Sequence, residues 1–157
     1  MNKVRVIGLG SPWGDDQAGW RAAAALREMF DENAVDVRVL DRPGAALPQH
    51  WQNSDWVVLL DAVRGVGEVG RIHALEGAAI RRYATSGLSS HNIGVAEAVA
   101  LADAVGALPR RLYLLGLEIG APQPSAKLSP EVECALAPFT EAARAKVAEW
   151  LSIRTER

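Results

Sequence analysis

The chain has one cysteine, Cys134, in 157 residues, so no disulfide can form within it. It also lacks any apolar run near the ~20 residues that a membrane-spanning helix needs. There is no cationic excess: Lys+Arg 17 against Asp+Glu 19 leaves a net charge of -2, without the basic surface that phosphate backbones attract. Neither a membrane nor a nucleic acid is expected as a partner. The first residues, Met1 to Gly8, enter a strand-like segment with no signal-peptide h-region or cleavage site. Together with the lone cysteine, this makes a reducing cytoplasm the expected location. What is present is globular in character, 49% apolar and 23% charged. A mass of 16.8 kDa suits a single domain over 1–157, with 152–157 expected to fray.

Segments rich in β-branched and aliphatic residues alternate with alanine-rich helical ones. Val4 to Leu9 reads as a strand, Asp16 to Phe30 as a helix and Val35 to Asp41 as a second strand. Trp56 to Ala62 is continuously apolar up to Asp61, the mark of a central strand covered by helices on both faces. Val69 to Leu75 is a weaker strand, too close to its predecessor for a parallel crossover and so expected as an antiparallel neighbour or an edge. A helix over Asn92 to Val105 and a strand over Leu112 to Leu117 follow. The last helix opens with Ser129 as N-cap and Pro130 at its first position, and Pro138 should kink it. This order predicts a three-layer α/β/α sandwich with a mostly parallel, twisted sheet of about five strands. In such sheets the site forms outside the carboxyl ends of the strands.

The first strand ends in Gly8-Leu9-Gly10-Ser11-Pro12-Trp13-Gly14-Asp15-Asp16. Gly8, Gly10 and Gly14 loosely match a dinucleotide fingerprint, with Asp41 in the place of its ribose-binding acid. Against that reading, two carboxylates would stand where a pyrophosphate should bind, and Trp13 would crowd it. One acid at a helix start is explained by capping, which is enough for Asp15. A second adjacent acid adds repulsion, so Asp16 is better explained by a compensating cation or a shared proton. Asp61 follows five apolar residues at the end of the central strand, where an unpaired charge is costly. Its alternatives are function or hydrogen bonding to loop amides. His50 and His73 are expected on the surface or in packing. His91 lies in a small-residue loop, Ser86 to Asn92, entering a helix, so its ring can point toward the same end of the sheet. Asp16, Asp61 and His91 would make a three-ligand site with an open position, as catalytic metal centres have.

Nucleophiles are less well supported. Cys134 sits in the last helix with no histidine near it in sequence, and Ser11, Ser89 and Ser90 lack a Gly-x-Ser-x-Gly elbow. Asp16 and Asp61 sharing a proton as an aspartic dyad stays open as an alternative.

With these residues assembled, the chain resembles the NiFe-hydrogenase maturation endopeptidases. The resemblance spans nearly the whole chain. It rests on Ile7-Gly8-Leu9-Gly10 followed by Asp15-Asp16 and Gly19, on Leu60-Asp61-Ala62, on Ser90-His91-Asn92-Ile93-Gly94, on Gly116-Leu117-Glu118, and on Leu128 to Val132 before an alanine-rich helix. It implies removal of a C-terminal extension from a hydrogenase large-subunit precursor after nickel insertion. It further implies Asp16, Asp61 and His91 as ligands of a divalent metal. That metal is expected to be nickel supplied by the substrate, although zinc or another divalent ion suits the same donors. Departures fall at one end of the sheet. The glycine loop is one residue shorter than usual, Ser11 replaces a common Asn, and Trp13 adds bulk. Asp41-Arg42-Pro43-Gly44 stands where the family often has Asp-Gly-Gly-Thr, a segment associated with substrate recognition. Asp41 to Ala45 and Trp13 are therefore expected to line the rim and select the precursor. A dinucleotide-binding protein and a non-catalytic chaperone of the nickel-loaded precursor are the alternative readings.

Overall fold

In a computed structural model the described residues are 3–52, 56–65, 67–77, 79–80, 82, 93–121 and 124–156. They build a five-stranded sheet of β1 (Val4–Gly10), β2 (Val35–Asp41), β3 (Trp56–Val63), β4 (Ile72–Glu76) and β5 (Arg111–Glu118), in the spatial order β2-β1-β3-β5-β4. The pairs β1–β2, β1–β3 and β3–β5 are parallel, and β4 pairs antiparallel with β5 at the edge. This is the mostly parallel α/β arrangement expected, with the weak strand at an edge. That strand starts at Ile72 rather than Val69, because Val69 and Gly70 form the turn into it.

The described helices are α1 (Ala18–Arg27), α2 (Ile93–Ala104) and α3 (Pro130–Thr155), with short 3-10 helices at Gly14–Gln17 and Gly44–His50. One face of the sheet, with Val4, Val6, Val58 and Leu60, packs on Ala22 and Leu26 of α1 and on Phe139, Val147 and Trp150 of α3. The other, with Ile7, Val57 and Leu59, packs on Leu47 of the second 3-10 helix and on Ala98, Val99 and Ala102 of α2. Every residue of β3 is buried, since alternate side chains enter the two cores. No helix among the described residues is long and apolar enough to cross a membrane.

Further differences from the sequence reading lie in the helices. The helix expected over Asp16 to Phe30 is a 3-10 turn followed by α1, which ends at Arg27 as Glu28 and Met29 bond back to Ala25 and Leu26. The 3-10 helix Gly44–His50 was not anticipated, its Pro43, Gly44 and Pro48 reading as turn chemistry. Helix α3 runs unbroken through Pro138 and continues to Thr155, past Ser152, with Leu151 and Ile153 packed against the first core. Its start is as expected: the Ser129 hydroxyl accepts from the Val132 N–H, and Pro130 takes the first turn.

Candidate active site

Chain order reverses between β1 and β3: β2 lies on one side of β1 and β3 on the other. The carboxyl ends of β1 and β3 therefore part at a switch point, where α/β sheets open a crevice. A cavity of about 360 Å³ occupies it, with Gly10, Asp15, Asp16 and Asp61 in its wall.

Asp61 comes from β3, in register with Gly116 of β5, and is 7% exposed. Its Oδ1 accepts a hydrogen bond from the Ala62 N–H at 2.9 Å, which partly compensates its burial. The proton is held well above the usual carboxylate range, first by burial and then by the negative charge of Asp16; the Ala62 bond opposes both. A fan of loop amides satisfying the carboxylate is not seen among the described residues. Asp16 comes from the 3-10 turn after β1. Its N–H donates to the Trp13 carbonyl at 3.1 Å, and its own carbonyl accepts from Ser11 N–H at 3.4 Å.

Asp15 behaves differently from its neighbour. Instead of capping its own helix, it accepts from the backbone N–H and the hydroxyl of Ser129. Trp13, 57% exposed, stands in the cavity wall with Arg42, Pro43 and Gly44. Arg42 adopts a left-handed φ of 43°, uncommon outside glycine, and its Nε lies 2.8 Å from Asp41 Oδ1. Asp41 and Ala45 are outside the wall itself. The apolar share of the wall, Leu9, Leu47, Val95 and Ile119, carried no sequence signal as a site, since each reads as ordinary core. His91 and its loop lie outside the described residues. His50 and His73 do not line the cavity, and Cys134 is exposed on α3.

The geometry also bears on the dinucleotide reading. The Ser11 N–H is spent on the Asp16 carbonyl, and Gly10 packs directly against that carbonyl. The loop backbone is therefore closed to a pyrophosphate, and two acids occupy the turn behind it.

A mostly parallel α/β fold with Asp15, Asp16 and the buried Asp61 in the wall of its switch-point cavity is an α/β protein whose ligand crevice is lined by acids. The family model for hydrogenase maturation proteases (HycI) matches residues 21–146, and the chain belongs to that family of proteases. It is 28% identical over 156 residues to the hydrogenase expression/formation protein HupD of Bradyrhizobium diazoefficiens, covering 95% of this chain and 80% of that one. The hydrogenase maturating endopeptidase HybD of E. coli has the same fold, with a TM-score of 0.80 at 24% identity over 94% of this chain and 93% of that one. A hydrogenase 2 maturation peptidase from a Thaumarchaeota archaeon aligns with a TM-score of 0.69 at 26% identity, over 94% of this chain and 99% of that one.

Proposed function

We propose that this protease is a one-domain cytoplasmic endopeptidase that removes the C-terminal extension of a NiFe-hydrogenase large-subunit precursor once nickel has been inserted. The observation that carries this reading is the pair Asp16 and Asp61 in one cavity at the switch point, with the Asp61 proton held first by burial and then by the charge of Asp16.

Two carboxylates set against each other in a half-closed crevice are poorly matched to each other and well matched to a divalent cation. Oxygen donors of this kind fit nickel or zinc, and His91 would complete the set with an imidazole nitrogen. A divalent ion seated there would polarise the scissile carbonyl or acidify a water molecule. On this reading the ion is part of the substrate, and the enzyme contributes the charge that recognises it. Burial, and after it the charge of Asp16, favours the protonated form of Asp61.

Trp13, Arg42, Pro43 and Gly44 form the rim against which the precursor tail would lie. Their chemistry, one exposed indole and one guanidinium on a fixed backbone, departs from the glycine-rich segment common in the family. The rim therefore selects the precursor, while the acids serve the reaction.

Incubating the purified protein with nickel-loaded precursor from the same source should shorten that precursor at its C-terminus, read by intact-mass spectrometry. Stable binding with no loss of mass would replace the protease reading with that of a chaperone.

A further inference from the structure

Asp16 is flanked by two residues that reach the same distant segment. On one side Asp15 accepts two hydrogen bonds from Ser129, the backbone N–H donating to Oδ1 at 2.6 Å and the hydroxyl to Oδ2 at 2.8 Å. On the other, Gln17 Nε2 donates to the Ala126 carbonyl at 2.7 Å and to the Gly14 carbonyl at 3.1 Å. Ser129 is itself the N-cap of α3, whose Val132, Phe139, Val147 and Trp150 are buried in the first core. The turn carrying Asp16 is thus fastened on both sides of that residue to the segment 126–129 that leads into α3.

A four-residue 3-10 turn has few hydrogen bonds of its own, and neither it nor α1 has a side-chain cap. Its orientation must come from outside. Asp15, Asp16 and Asp61 all stand in the cavity wall, but both oxygens of Asp15 are engaged by Ser129. Hydrogen bonds to a carboxylate are about twice as strong as neutral ones.

We propose that Asp15 is a positioning residue: by gripping Ser129 it fixes the turn so that Asp16 is held in the wall of the cavity it shares with Asp61. This rests on the reading of Asp16 and Asp61 as a cation-binding pair. Of the two neighbouring acids in that wall, Asp15 then engages its oxygens in holding the turn to Ser129, which leaves Asp16 to serve the cavity.

The test compares wild type, Asp15→Ala and Asp15→Asn by crystallography, thermal unfolding and calorimetric titration with nickel(II) alone. Asp15→Ala should displace the Asp16 carboxylate relative to Asp61 and weaken nickel binding by ~10-fold or more at a temperature where the variant is fully folded. In Asp15→Asn the side-chain oxygen still accepts from the Ser129 N–H and the amide donates to the hydroxyl, so nickel affinity should return to within about threefold of wild type. Equal losses in the Ala and Asn variants would overturn the proposal, because they would mean that the Asp15 charge acts directly. An unmoved Asp16 with unchanged affinity in Asp15→Ala would overturn it too. Should Asp15→Ala fail to fold, Ser129→Ala removes one of the two bonds and should give a smaller shift of Asp16 in the same direction; no shift counts against the proposal. Wild type that does not bind nickel would refute the cation reading alone, and the crystallographic position of Asp16 would still decide the role of Asp15.

Discussion

Gly10, the last residue of β1, packs so closely on the carbonyl of Asp16 that a β-carbon at position 10 would overlap that oxygen. Glycine there lets the turn fold back onto the strand end and brings Asp16 to the cavity. Gly10→Ala is expected to destabilise the protein by about 1–3 kcal/mol through overpacking. It should also lower precursor cleavage beyond what the lost folded fraction accounts for. Urea unfolding and cleavage rates below the transition would check both effects; an unchanged midpoint would show that the turn yields freely.

Asp16→Asn keeps the size of the side chain and removes its charge. Cleavage of nickel-loaded precursor should fall at least ~100-fold, comparable to losing one important electrostatic contact in an active site. Cys134→Ala, on the exposed side of α3, should leave the rate nearly unchanged. Precursor that has not received nickel should stay uncut by the unaltered enzyme. An active Asp16→Asn beside an inactive Cys134→Ala would point to a thiol enzyme instead.

Burial and the charge of Asp16 raise the Asp61 carboxyl in the folded protein well above its usual 3.8. Between the unfolded value and the raised one, the folded state keeps a proton that the unfolded state has released. The contribution of Asp61 to stability therefore falls as pH rises through that window and stays low above it. Asp61→Asn can still accept from the Ala62 N–H and carries no charge to bury. It should melt higher than wild type at neutral pH and nearly level with it near the acid end of the window, while cleavage is lost. Thermal melts across pH would reveal this; a variant less stable at neutral pH would contradict it.

Arg42 keeps a left-handed backbone at the cavity rim, a conformation that costs a non-glycine residue of the order of 1 kcal/mol. Arg42→Gly should hold or slightly raise the melting temperature while changing which precursor is processed, and Pro43→Gly should also alter that choice. Nickel affinity should stay nearly intact in both, since neither residue is one of the proposed ligands. A panel of precursors cleaved at wild-type rates would remove this rim as the selector.

Much of this was legible from local pattern. The apolar run leading to Asp61 announced a central strand, because only a strand covered on both faces is apolar at every position, and its terminal acid was conspicuous for being charged there. The glycine spacing marked the first strand–helix turn, and Ser129-Pro130 marked the start of α3. Other features depended on contacts between segments far apart in the chain, which no periodicity records. Two adjacent aspartates look alike in sequence. Only the packing of α3 against α1 and β1 brings Ser129 to Asp15, so that of two acids in the cavity wall one has both oxygens engaged by a distant segment. In the same way, Leu47 became core and cavity wall only where its 3-10 helix met α2. Local propensity determined which elements formed, and long-range hydrogen bonding and burial decided which of their side chains could act.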